Sequence, residues 1–286
     1  MTERRAERVA ADLSTPHLEA LAKARELLES PGLIARVSST LATPIDAGMD
    51  MLPEAARLRI LTVAEVSLRT ALKTALWSLN GGSISTPSNR VHKAGSAISG
   101  AFGGAFGLPA LAIELPVSTS IMLRSIAEIA RAEGEDLSDP SAQMACLEVF
   151  ALGGASAEDD LADTGYFGVR AALARTISEA AKYAAGTAGV RHSAPPMVRL
   201  ISQIAARFSI PVSEKAAAQS VPLIGAAGGA LINVLFMDHF QNAARGHFIV
   251  RRLERTYGQP AVRLAYEQLN GVEESGPAGG GFSSSD

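Results

Sequence analysis

The sequence predicts an all-α protein: a helical bundle containing two glycine- and alanine-rich apolar helical hairpins. Three observations predict it. Hydrophobic residues make up 47% of the 286 and aromatics only 5%, so the apolar content is mostly Ala, Leu, Ile and Val, led by the two best helix formers. Apolar residues recur at three- and four-residue spacing between start and stop signals. Finally, two uncharged runs, residues 94–113 and 216–237, each carry small residues four apart and lead into a basic amphipathic helix.

Residues 1–30 read as charged N-terminal helices. The first, over residues 2–13, alternates charges and lacks the apolar stretch of a secretory signal. Cys146 is the single cysteine, which allows no internal disulfide. It lies in a helical apolar run and reads as a buried small hydrophobe. A reducing, cytoplasmic setting is expected. Thr15 is expected to cap the second helix, with Pro16 in its first position, and Pro31-Gly32 ends it.

Residues 31–270 read as a single helical domain. From Glu54 to Leu79, Leu61, Ala64, Leu68, Leu72, Ala75 and Leu79 share one face, opposite Glu65, Arg69 and Lys73. The loop from Asn80 to Asn89 delivers the chain into the first uncharged run. There Gly100 and Gly104, and Gly103 and Gly107, stand four apart, a spacing that lets helix backbones approach closely. Each helical glycine costs about 1 kcal/mol against alanine, so tight packing or a bend has to compensate. Pro109 and Pro116 are expected to divide this segment, with a regular helix after Pro116 closed by Gly134. Asp139-Pro140 starts another helix.

The acidic connection with Glu158, Asp159, Asp160 and Asp163 lacks the spacing of a calcium loop and reads as solvated. Helices follow at 167–187, with Val169, Ala172, Leu173, Ile177, Ala180 and Ala184 on one side, and at 197–208. The second uncharged run holds Gly225 and Gly229, meets Asp238, and passes into a polar helix closed by Gly258. The first run in the same way meets Glu114 and ends at Gly134, so the two units read as a pseudo-repeat. Residues 271–286, rich in Gly and Ser, read as a disordered tail.

The stretches GGAFGLPALAIELP, LRSIAEIARAEGEDLSDP, CLEVFALGG and SVPLIGAAGGALINVLF, with TPIDAGMDMLP upstream, resemble the EcsC family of bacterial proteins over roughly residues 30–260. What the resemblance implies is modest: the family is named from a gene neighbouring an ABC transporter, and its members are largely uncharacterised. It brings no agreed catalytic residues, although some members bear protease-type labels.

Chemistry is sparsely signalled. A net charge of −3 offers no basic surplus for nucleic acid. His17, His92, His192, His239 and His247 form no H-E-x-x-H, and His239 and His247 stand about 12 Å apart along one helix, so no metal is expected. Neither a serine-nucleophile elbow nor a phosphate loop is present, and no cofactor is implied. Glu114 is the charge that stands out, an acid among apolar residues that is costly to bury unless paired or protonated. It is expected to form a polar notch with Pro116 and Arg124, as a ligand, lipid-headgroup or proton site. The bland alternative is that Glu114 lies at the water boundary, or in a salt bridge that closes the helix hairpin. Asn233 and Asp238 take the matching parts in the second unit.

Three functions stay open. The first is a cytoplasmic module, peripheral to or inserted in the inner membrane, that binds lipid or a membrane protein such as a transporter. In that reading Arg124, Arg131, Arg245, Arg251 and Arg252 face anionic headgroups. The second is a hydrolase with a carboxylate site near Glu114 and Asp238. The third is a soluble scaffold or homo-oligomer. Enzymatic activity is the less expected outcome.

Overall fold

The computed structural model describes residues 3–41, 53–79, 108–154, 165–186, 194–219 and 225–273. These residues form helices α1 (Glu3–Ala11), α2 (Thr15–Leu28), α3 (Leu33–Leu41), α4 (Glu54–Leu79), α5 (Leu108–Ala132), α6 (Pro140–Leu152), α7 (Tyr166–Gly186), α8 (Pro195–Gln219), α9 (Gly225–Tyr257) and α10 (Gln259–Glu273). No strand occurs among the described residues. Gly100, Gly103, Gly104 and Gly107, the loop from Asn80 to Asn89 and the acidic connection with Glu158 to Asp163 lie outside them.

The bundle is built around α9, whose 33 residues span about 50 Å. It contacts α2, α3, α5, α6, α8 and α10. At its centre Phe236 and Phe240 meet Phe150 of α6 and Phe208 of α8, with ring centroids 5.0–6.2 Å apart, mostly in the edge-on and tilted arrangements that aromatic quadrupoles favour. A scarce residue type is thus concentrated in the core. A side chain on Gly153 would run into the Phe240 ring, and one on Gly246 would meet the Ala24 carbonyl oxygen at 2.8 Å. Gly246 therefore lets α2 lie close along α9.

Several boundaries differ from the sequence expectation. The cap of α2 is Ser14, with Thr15 already helical and Pro16 next to it; the fixed φ of proline suits either of the first helical positions. Pro109 and Pro116 do not divide their segment, because α5 runs from Leu108 through both. Pro109 sits in the first turn, where its missing N–H is not needed. Pro116 removes one hydrogen bond, and burial of Leu115, Ser118 and Thr119 on the inner face keeps the helix in place. Likewise α8 runs through a buried Pro211 to Gln219 rather than ending near 208. Ala172 of α7 is exposed, off the buried face. A further helix, α10, starts at once after Gly258, where sequence spacing marks only an end. It carries the fold past Gly271 to Glu273; residues 274–286 lie outside the described residues.

Other signals hold. Gly134 and Gly258 have φ of 82° and 86°, the left-handed region in which glycine closes helices. The Asp139 carboxylate accepts from the Ser141 N–H at 2.8 Å and caps α6, with Pro140 behind it. The second uncharged run is shared between the end of α8 and the start of α9, and its Gly229 is buried.

Candidate functional site

Glu114 leaves the inner face of α5 and is 5% exposed. Lys215, carried there by the last turns of α8, is fully buried. Its Nζ donates to Glu114 Oε1 at 2.5 Å and lies 4.8 Å from the centroid of the Phe236 ring on α9. Burial pushes the Lys215 ammonium down from its ordinary value, and the Glu114 carboxylate pulls it back up. Glu114 Oε2 has no hydrogen bond. Charge buried at a three-helix junction and neutralised by one partner locks those helices together.

The other expected members do not converge on Glu114. Pro116 is next but one along the helix and half-buried. Arg124 lies about 15 Å further along α5, is 58% exposed and stands 3.7 Å from Glu128, so the cation of the notch is Lys215 instead. Asn233 is buried one turn before Phe236. Asp238 is half-buried on α9, rotated by roughly 140° from Asn233. Arg251 and Arg252 are drawn into ion pairs with Glu135 and Glu133, at 2.9 and 3.1 Å. Gly225 opens α9.

The histidines among the described residues pair within the fold. His17 Nδ1 is 2.7 Å from the Tyr257 hydroxyl, and His239 Nε2 bonds the Gly153 carbonyl at 2.6 Å. Burial lowers the pKa of His239, against the pull of that carbonyl. His92 and His192 lie outside the described residues. Among the described residues no three His, Cys, Asp or Glu side chains gather in a way that could hold a metal ion.

A second polar cluster lies where α6, α7, α9 and α10 meet. Arg170 of α7 holds Glu254 of α9 through two hydrogen bonds, at 2.7 and 2.9 Å. Arg251 and Arg255 both reach Glu135. The Tyr166 hydroxyl is 2.9 Å from His247 Nδ1, and His247 Nε2 is 3.6 Å from Glu148 Oε2 without a hydrogen bond. Burial holds the imidazole well below its ordinary pKa, and Arg170 and Arg251 hold it lower still. Burial raises the Glu148 carboxyl to about 7, against the same two guanidiniums and with help from Glu254. Glu148 therefore changes charge near neutrality beside an imidazole that stays neutral. Glu148, Arg170, Arg251 and Glu254 are among the residues that line a cleft of about 660 Å³.

Glu148 carries the same sequence signal as Glu114: it is the sole charge in residues 140–157. The cluster around it joins distant parts of the chain, Tyr166 standing 81 residues from His247 and Arg170 standing 84 from Glu254, so spacing could not reveal it.

These features define an all-α protein with, among the described residues, two buried charge clusters and an open cleft. The chain matches the EcsC protein family over residues 23–253 and belongs to that family. No curated protein and no solved structure matches it.

Proposed function

We propose that this EcsC protein is a peripheral membrane module acting at the cytoplasmic face of the inner membrane through α4 and α5. The observation that carries this reading is the outer surface of those two closely packed helices. Leu58 and Val66 of α4 are 62% and 51% exposed, and Ile113 and Val117 of α5 are 78% and 50% exposed. Exposed Arg57 and Arg59 flank Leu58, and Arg124 follows on α5. Carboxylates are absent from α5 between Glu114, which faces inward, and Glu128. An apolar stripe with arginines beside it, on a helix that also carries Glu54 and Glu65, suits an anionic lipid surface, and the uncharged run of residues 94–113 adjoins it in sequence.

No helix among the described residues is long and apolar enough to cross a membrane, so the proposed contact is with the surface. The lock of Glu114 on Lys215 holds α5 with Ile113 and Val117 outward. A carboxylate hydrolase would need Glu114 open to substrate, and its burial against Lys215 gives that reading no support.

The test is flotation of the full chain with phosphatidylglycerol vesicles and with phosphatidylcholine vesicles. Each apolar side chain taken fully from water contributes about 1.5–3 kcal/mol, so Ile113→Asp with Val117→Asp should weaken vesicle binding at least about tenfold. Binding that ignores both the substitution and the lipid charge would overturn the reading. A wild-type chain that stays off vesicles but doubles its mass, with the variant monomeric, would show that a second copy covers the stripe.

A further inference from the structure

Pro116 separates a short arm of α5, residues 108–115, from a long remainder. Among the described side chains of the arm, Leu111, Glu114 and Leu115 are buried, while Ala112 and Ile113 are exposed. The missing N–H of Pro116 leaves the Ala112 carbonyl without its helical partner, and the ring crowds that carbonyl. Helix α5 therefore bends most easily at this point. Among these side chains, two leucines and one ion pair hold the arm down. The remainder is held more firmly, by buried Met122, Leu123, Ile126, Ala127 and Ala130.

The ion pair is incompletely satisfied. The Lys215 ammonium has three N–H donors, and Glu114 Oε1 is its hydrogen-bond acceptor among the described residues. Glu114 Oε2 and Gln219 Nε2, the latter one turn past Lys215 on α8, are buried without hydrogen bonds. Buried polar atoms are rarely left so, and each orphan costs stability while the junction is closed. Burial decides which side moves. Lys215, Ala216, Ala217, Ala218 and Gln219 are all buried, so the end of α8 is enclosed around its circumference and stays. Ile113, next to Glu114, is 78% exposed, so the arm lies at the surface and is free to leave it.

We infer that residues 108–115 are a hinged arm, latched by Glu114 on Lys215, that swings out at Pro116 when the membrane face meets anionic lipid. The inference rests on the proposed membrane contact of α4 and α5 and adds its regulation. In water the latch keeps Leu111 and Leu115 covered, and only the exposed stripe is offered to lipid. At the acyl boundary the two leucines pass from one apolar surrounding to another, so the motion forfeits little hydrophobic stabilisation. Parting the ion pair leaves the Lys215 ammonium alone, and anionic headgroups supply the charge that Glu114 withdraws. A neutral surface offers no such replacement, and the unpaired ammonium then keeps the arm closed.

The experiment measures the distance between spin labels on Ala112→Cys of the arm and Gln203→Cys of α8, both exposed positions, in the full chain carrying Cys146→Ala. Dipolar spectra are recorded without lipid, with phosphatidylglycerol vesicles and with phosphatidylcholine vesicles, and flotation of the same samples reports binding. The arm is about 12 Å long, so phosphatidylglycerol should change the label separation by about 10 Å, and phosphatidylcholine should leave it unchanged. Pro116→Ala restores a helical hydrogen bond without threatening the fold, and should cut the shifted population severalfold at saturating lipid. Flotation with an unchanged distance would overturn the latch and leave the membrane contact standing. A chain that stays off phosphatidylglycerol vesicles would overturn both. A shift equal on the two lipids, or indifferent to Pro116→Ala, would also overturn the latch.

Discussion

Replacing Glu148 by glutamine tests the electrostatics of the second cluster through stability alone. Burial moves this carboxyl from 4.5 to about 7, so the native state holds the proton more tightly than the unfolded chain does. Unfolding then releases a proton between those two values, and native stability falls as pH rises through that window, levelling off above it. A displacement of this size corresponds to about 3 kcal/mol at full ionisation. At pH 5 most of that cost is absent, because native Glu148 is still protonated. Glutamine is neutral at every pH and escapes it. Urea unfolding of both proteins at about pH 5 and about pH 8 should show the stability of the variant relative to wild type rising by roughly 2–3 kcal/mol between the two. His247 shifts in the opposite sense, giving stability that grows as pH rises toward 6.5, and it largely cancels because both proteins carry it. A constant difference across pH would refute the claim that burial raises the Glu148 carboxyl.

Other perturbations probe the rest of the frame. Lys215→Met leaves Glu114 buried and unpaired and should cost about 3–5 kcal/mol in urea unfolding. Adding Glu114→Gln should recover much of the loss, and simple additivity would deny that the two groups act as a pair. Gly258→Ala meets no neighbour within 4 Å but keeps φ at 86°, so it should cost about 1–2 kcal/mol. Gly246→Ala should cost more, because the new methyl collides with Leu28 and the Ala24 carbonyl; an equal loss would mean that α2 sits less tightly on α9. The Cys146 thiol is raised to about 12 by burial and by Glu135, so a thiol reagent at pH 8 should modify it only on unfolding. Rapid modification of the folded chain would contradict that burial.

Local signals were legible in the sequence and distant ones were not. Asp139-Pro140, Gly134 and Gly258 announce helix ends because a cap depends on residues within one turn. The amphipathic face of α4 reads nearly correctly, with Ala64, Leu68 and Leu72 buried as expected and Ile60 and Ala71 joining them. Pro116 and Pro211 mislead, because the tertiary packing that keeps a helix continuous across a proline leaves no local mark. Glu114 is recognisable as a buried acid that needs a partner. That the partner is Lys215, 101 residues away, depends on how α5 and α8 pack. Glu148 shows the same mark, and only the fold brings Tyr166, Arg170 and His247 around it.

The link between His17 and Tyr257, 240 residues apart, sets an order of events during synthesis. Helix α1 packs on α10, and α2 packs on α9, so α1 and α2 leave the ribosome well before the helices that cover them. At about 5–20 residues per second that wait is roughly 10–50 s. Throughout it Leu21 and Ala24, fully buried in the finished protein, have no surface to cover them. Nascent chains halted before α9 should therefore bind holdase chaperones through α2 and be cut there by proteases, and both should cease once α9 and α10 are free to close over it.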